Sequence, residues 1–442
     1  MKKTILLFIM ILLSSCNDVG DNKPLLSNSK EKQPIIIVNK NRHLNIPDFW
    51  IDRLENSEQI IMNPKEIIRF NDSIAHENQT LNYFDELPNS YSNEQIKRLL
   101  LGGYIGLKNR AKFFEDGSKI PTNFYRDIKE ELNLEILKNS TRKTRYALTV
   151  KFVNQRVIPS KLALLKTSQQ IHFDRNQNSA LDIATPLAVI HSTENGQWHY
   201  AVGPTSSGWI ANNAIAFADK EEIDSYLKSK KFVISTSAKS SIYLSGRYYD
   251  YLRMGVRLPK IMEIDDKTMV LIPSRGRNGK LILSNAILKT ADVQEGYLPY
   301  TAQTILTQAF KFLHAPYGWG GMYGEQDCSK FIQEIYATVG IRMPRNSTSQ
   351  SNVGKAKVEL EGLDKTTRAK LLRDTATIGG TIVHLKGHIV LYLGEYKGEP
   401  YIIHTVWGES SEHFALGRTA VTSLNFNNYL SKIDKSTSII LD

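Results

Sequence analysis

Hydrophobic periodicity changes twice along this chain, and each change limits what the segment can become. From residue 35 to about 142, apolar residues recur at helical spacing. From Tyr146 they alternate in short stretches broken by turn residues. From Pro299, helical and alternating stretches take turns. No single layered architecture accommodates all three patterns, so the 442 residues are expected to divide into about three domains or more.

Local signals sharpen each region. In Asn63-Pro64-Lys65-Glu66-Ile67-Ile68, asparagine is placed as N-cap and proline in the first turn. Pro47 to Leu54 opens another amphipathic helix. Ser92 caps a third, with Gln95 three residues on and Ile96, Leu99 and Leu100 as its stripe. Ala147 to Phe152, Pro186 to His191, Trp198 to Val202 and Gly208 to Ile210 read as short strands of a small barrel. Lys231 to about Ala291 repeats that texture, with strands at Met269 to Pro273 and Leu281 to Leu283. Beyond Pro299, helices are expected at Tyr300 to His314 and Cys328 to Val339. Strands are expected at Thr381 to Val383, His388 to Leu393 and Tyr401 to His404.

The N-terminus reads as a targeting segment. Lys2 and Lys3 precede the apolar run Ile5 to Leu13, which is too short to span a bilayer and suits a signal-peptide core. The run ends in Leu13-Ser14-Ser15-Cys16, which resembles a bacterial lipobox. The resemblance implies lipidation of Cys16 and attachment to a membrane of the cell envelope. Residues 17 to 34 are polar and serve as a tether. With Cys16 acylated, Cys328 is the sole thiol of the mature chain, and no internal disulfide can form.

Charge excludes little. The formal net charge of +11 favours anionic surfaces in general. The basic residues are scattered, with no helix-turn-helix, zinc finger or arginine-rich arm, so a nucleic-acid partner is not expected. Scattered histidines and the lack of clustered cysteines argue against a metal site, and no organic cofactor is implied.

The chemistry concentrates around residue 328. A glycine-rich run from Pro316 to Gly324 delivers Cys328 to the start of a helix. Thiolates are the nucleophilic form, and both helix N-termini and a nearby imidazolium lower a thiol's pKa. A buried structural cysteine is the alternative. His388 begins a strongly apolar strand and His404 ends the next. Antiparallel pairing would bring the two rings together, with His404 fixing the tautomer of His388. Taken singly, each could be an ordinary strand-edge histidine.

Three motifs carry a family resemblance. Pro316-Tyr317-Gly318-Trp319-Gly320-Gly321, Asp327-Cys328-Ser329 and Met343-Pro344-Arg345-Asn346-Ser347, followed by Gly387-His388-Ile389 and His404, resemble the NlpC-type cell-wall cysteine peptidases. The resemblance implies a papain-like core with Cys328 as nucleophile, His388 as base and His404 as orienting member. Lys330 departs from the family, which usually has glycine there; a solvated lysine is tolerable at that position, and the alternatives are that it crowds the groove or that its charge favours the thiolate. Arg156 to Ser160, Phe173 to Gln177 and Gly208-Trp209-Ile210 resemble the first bacterial SH3-like domain found ahead of such peptidases, which docks on the catalytic domain and narrows its groove. Ile61 to Pro64 resembles the N-terminal clip domain of the same hydrolases.

The expected fold is therefore multidomain α+β, a papain-like cysteine peptidase core preceded by two SH3-like β-barrels and an N-terminal helical domain. The expected divisions are 1–16 signal and lipobox, 17–34 tether, 35–142 helical domain, 143–228 first barrel, 229–295 second barrel and 296–442 peptidase domain. The resemblance implies cleavage of the γ-D-glutamyl to diamino-acid bond in peptidoglycan stem peptides or muropeptide fragments with a free N-terminal L-alanine. It further implies that Tyr317, Asp327 and Ser329 contact the substrate's amine end. Asp327 could instead serve only as N-cap of the Cys328 helix. Trp319 either lines the substrate site or packs the core. The rival functions are an N-acetylmuramoyl-L-alanine amidase and a non-catalytic wall-binding lipoprotein.

Overall fold

The capping signals at Asn63 and Ser92 start helices as expected. In the computed structural model, Asn63 accepts from the amides of Lys65 and Glu66 while Glu66 returns to the Asn63 amide. Ser92 and Gln95 make the same reciprocal pair. Each pair satisfies amide donors that have no intrahelical acceptor. The structure describes residues 42–138, 141–408 and 416–441, and Arg42–Asp442 forms one compact unit. Cys16, the apolar run before it and the tether of residues 17–34 lie outside the described residues. Among those described, no helix is long and apolar enough to cross a membrane.

The N-terminal helices have two different partners. Pro64–His76 turns Phe70 and Ile74 into a core shared with Tyr300, Ile305 and Phe331 of the C-terminal region. Asn93–Arg110 and Thr122–Glu131 pack Ile96, Leu100 and Tyr125 against Trp198 and Trp209 of the first sheet. Over the described residues 42–138 the chain is mostly helical, and its two halves are buried by different neighbours.

Two seven-stranded antiparallel sheets follow. The first runs Ile215–Ala218, Arg145–Thr149, Pro186–Ser192, Trp198–Val202, Ser207–Ala211, Val153–Arg156, Gln177–Leu181. The helix Lys220–Leu227 leads to the second, whose long strands include Lys267–Arg275 and Leu281–Lys289. Its inward residues Ile242, Leu252, Val270 and Leu288 are buried.

The C-terminal region sets helices Ala302–Phe310 and Cys328–Ala337 against one face of a six-stranded antiparallel sheet. The sheet order is Lys357–Glu359, Ile433–Ser438, Thr381–Leu385, His388–Tyr396, Glu399–Val406, Arg418–Ser423. Phe331, Ile332 and Ile335 of the second helix interlock with Ile389, Leu391 and Ile403 of the central strands. That packing fixes where the helix begins, and so where residue 328 sits.

Candidate active site

Glycines let the loop before the helix reach the first sheet. Gly320 and Gly321 adopt φ of 61° and 84°. A Cβ at Gly320 would lie 2.7 Å from the Gln177 side chain, and one at Gly321 would lie 2.8 Å from that of Ala180. Any other residue would strain the backbone and push the loop off the strand. Gly321→Ala is expected to cost at least about 2 kcal/mol, from left-handed backbone strain plus overpacking, and to lower kcat/KM for small peptides. A thermal melt beside peptide kinetics checks this; an unchanged melting temperature would show that the loop tolerates a side chain.

Trp319 and Tyr317 follow the same docking. The Trp319 indole N–H donates to the Asp174 carbonyl of the first barrel at 3.0 Å, and its ring meets Phe173 edge-on. Tyr317 lies between Phe173 and Trp407, ring centroids 6.4 and 6.1 Å away. Burial, and then the Asp327 carboxylate, push its phenol far above the usual range. Both residues thus stand at the junction of the first barrel and the C-terminal region.

Asp327 caps the Cys328–Ala337 helix and also holds an arginine. Its carboxylate accepts from the Lys330 amide at 2.8 Å, the Ser329 hydroxyl at 3.0 Å and the Gly320 amide at 3.1 Å. Arg345 grips it through Nη2 at 2.7 Å and Nη1 at 3.2 Å. Burial opposes ionisation here, yet Arg345 and the surrounding donors hold the carboxyl below the ordinary range. The Arg345 Nε reaches Ser179 of the first sheet at 2.9 Å, so one guanidinium ties that sheet to the start of the helix. The sequence shows Arg345 within a motif but gives no sign of this clamp.

Cys328 is 9% exposed, and its thiol faces the backbone N–H of Ile389, next to His388. Burial and the Asp327 carboxylate push the thiol up to about 12, against the lowering by the Ile389 amide and Arg345. The expectation of a thiol lowered by its helix and by an imidazolium therefore fails. Desolvation of the thiolate outweighs the favourable dipole, and the neighbouring imidazole is neutral.

His388 and His404 meet as the strand pairing required. Nε2 of His388 lies 2.8 Å from Nδ1 of His404, and Nε2 of His404 lies 3.1 Å from the Thr422 hydroxyl. With His404 donating to Thr422 and accepting from His388, Nδ1 of His388 keeps a lone pair for the thiol proton. Tyr429 packs against both rings, tilted to His388 at 5.7 Å and edge-on to His404 at 5.8 Å, and Phe426 meets it edge-on. Burial first, and His384 second, push His388 down to about 4, against the opposing Asp327 carboxylate. His404 lies well below its ordinary value because it is buried beside His388.

His384 is a neighbour that sequence reasoning missed. The register between Thr381–Leu385 and Ile433–Ser438 shifts at His384 and Leu385, and this bulge brings Asp434 within 2.6 Å of the His384 Nδ1. Nε2 of His384 is buried without a partner among the described residues. Because His384 depresses His388, His384→Gln should move the acid limb of kcat/KM upward, by up to about one unit. The wild-type limb is expected near 4, where His388 protonates. An unmoved limb in the variant would remove His384 from the account.

Lys330 corrects a second expectation. Its side chain is 14% exposed, and the ammonium lies 3.6 Å from Asp182 and 3.9 Å from Glu334. Burial, followed by Arg253, lowers its pKa. The lysine faces the first barrel rather than water, because docking of that barrel covers the residue after Ser329. Among the described residues no three His, Cys, Asp or Glu side chains converge to hold a metal ion.

Comparison with known proteins agrees with this geometry. Residues 314–411 match the NlpC/P60 family and residues 164–211 match the SH3 domain of SH3b1 type. The chain is 28% identical over 202 residues to a gamma-D-glutamyl-L-lysine dipeptidyl-peptidase of Bacillus cereus, covering 42% of this chain and 54% of that protein. It is 31% identical over 98 residues to the bifunctional muramidase/DL-endopeptidase CwlT of Bacillus subtilis, covering 22% of this chain and 26% of that protein. The chain thus spans about half or less of the length of these curated relatives. An NlpC/P60 endopeptidase structure from Photobacterium damselae subsp. piscicida superposes with a TM-score of 0.73 at 21% identity, covering 87% of this chain and 94% of the other. The chain therefore carries an NlpC/P60-family domain behind a bacterial SH3 domain, within an α and β architecture shared with that endopeptidase.

Proposed function

We propose that this chain is a cysteine peptidase of peptidoglycan stem peptides, cutting the γ-D-glutamyl to diamino-acid bond in peptides with a free N-terminal L-alanine. The observation that carries the reading is the buried Cys328 at a helix start beside the hydrogen-bonded His388–His404 pair. The Bacillus cereus relative's name supports the bond with lysine as the diamino acid; the proposal extends it to meso-diaminopimelate. Docking of the first barrel through Ser179 and Asp174 supports short peptides over intact sacculus, because it walls the nucleophile loop.

In this reading, thiol and base rest neutral, so proton transfer accompanies attack. The Cys328 sulfur bonds to the γ-glutamyl carbonyl carbon as its proton passes to Nδ1 of His388. His404, held by Thr422, orients the imidazolium. The Cys328 backbone N–H, at the helix start, is an oxyanion donor. Collapse breaks the amide C–N bond, and the leaving amine takes the proton from His388. Water, deprotonated by His388, then cleaves the thioester and frees the thiol. Asp327 and Ser329, already ordered by Arg345, take the peptide's ammonium. Lipidation at Cys16 would hold the enzyme on an envelope membrane.

The test is incubation with L-Ala-γ-D-Glu-meso-diaminopimelate and with purified sacculi, read by mass spectrometry. Release of L-Ala-γ-D-Glu from the free peptide supports the proposal. Release of intact stem peptides from muramic acid would replace it with an amidase. Binding without cleavage would replace it with a wall-binding protein.

A further inference from the structure

The second sheet turns an apolar ribbon outward. Tyr248 pairs with Tyr243, Tyr243 with Ile287, Ile287 with Met269, and Met269 with Met262, one row across five strands. Tyr248 is 60% exposed, Met262 41% and Tyr243 36%. Their strand neighbours Ile242, Leu252, Val270 and Leu288 fill the core on the opposite face.

Both ends of the row are set by irregularities. The register shifts between Ile242 and Tyr243, and again between Lys260 and Met262. Each shift resets the alternation of faces, putting Tyr248 and Met262 outside where an unbroken ladder would put Tyr249 and Ile261.

The adjoining row is basic. Lys267 lies directly opposite Lys289, and both share the outer face because Met269 and Ile287 are two residues on. Like charges opposite each other destabilise a sheet. Neither ammonium has a carboxylate within ion-pair distance among the described residues. Ile264, 54% exposed, pairs with Lys267 and extends the apolar surface. Of the nearby carboxylates, Glu263 is held by Lys260 at 2.7 Å, and Asp265 and Asp266 form the turn beyond Ile264.

We propose that this outer face docks the protein on an anionic lipid surface, with the Tyr–Ile–Met ribbon at the headgroup boundary and Lys267 and Lys289 against the phosphates. Tyrosine suits that boundary, having an apolar ring and a polar tip. The ribbon is about 20 Å long and covers on the order of 300 Å². A stable protein interface buries roughly 800 Å² per partner, so the face is too small for a lasting dimer. The +11 charge of the chain favours an anionic partner. This contact adds to any lipid at Cys16 and does not depend on it, nor on the catalytic reading.

The experiment uses residues 17–442, which keep the whole Arg42–Asp442 unit and lack the segment expected to be acylated. The protein is sedimented with phosphatidylcholine vesicles, with and without an equal part of phosphatidylglycerol. Binding is expected only with phosphatidylglycerol, and is expected to weaken as salt rises. Tyr243→Ser/Tyr248→Ser and Lys267→Glu/Lys289→Glu should each lower the bound-to-free ratio at least about tenfold. Melting temperature and peptide hydrolysis should not change, since these side chains face outward. No binding to phosphatidylglycerol, or equal binding by both variants, would overturn the proposal. Self-association lost in the variants would assign the face to a second copy of the chain. Retention on sacculi lost in the variants would assign it to a wall polymer.

Discussion

Cys328→Ser is expected to lower kcat/KM for the stem peptide by about 10⁴-fold or more, with the fold retained. The exchange removes little volume from the buried site. It substitutes a hydroxyl that ionises far less readily than the thiol, and the base beside it is weak. His388 is pushed down to about 4, so it accepts a serine proton poorly. The resting thiol, up to about 12, already ionises only as the attack proceeds, and the greater nucleophilicity of sulfur makes that possible. Peptide kinetics beside a thermal melt decide the matter. A variant within tenfold of wild type, at unchanged melting temperature, would mean that residue 328 is not the nucleophile.

Arg253→Met is expected to destabilise the folded unit by about 3–5 kcal/mol. The guanidinium is fully buried where both sheets and the Cys328–Ala337 helix meet. Its Nε and Nη2 donate to the Asp182 carboxylate at 2.7 and 2.9 Å, and Nη2 also reaches the Ala180 carbonyl at 3.1 Å. Glu334, on the Cys328–Ala337 helix, lies 3.5 Å from Nε. Burial raises the Glu334 carboxyl to about 7 even with Arg253 and Lys330 nearby. Removing Arg253 leaves Asp182 and Glu334 beside a single lysine, two carboxyls that were arranged around two cations. A second change, Asp182→Leu, should recover part of the loss, because an unpaired buried charge costs more than an apolar pair. Thermal melts of the single and double variants test this, and a single variant melting within about one degree of wild type would show the cluster to be dispensable.

The positions of Cys328 and both histidines were legible because local patterns place them. A glycine-rich run before an amphipathic stripe puts Cys328 at a helix start. An apolar alternation bounded by Gly387 starts a strand at His388, and the next alternation carries His404 to its far end. Antiparallel pairing then makes their meeting nearly obligatory, and the ring nitrogens do lie 2.8 Å apart. The helices capped at Asn63 and Ser92 were legible for the same reason, since capping acts over three residues.

What surrounds those residues was not legible. Arg345 reaches Ser179, His384 reaches Asp434, and Arg253 reaches Asp182 and Glu334, each across a large gap in sequence. No local periodicity encodes such meetings; they follow from how sheets and helices dock. Docking also decides burial, and burial decides charge. A lysine after Asp-Cys-Ser reads as solvated until the first barrel covers it, and a thiol at a helix start reads as activated until its groove closes. The chain's own order determined which groups are placed together as candidates for the chemistry. The tertiary structure decided their protonation, because the free energy of an ionised group depends on the solvent it loses, and the sequence does not record that loss.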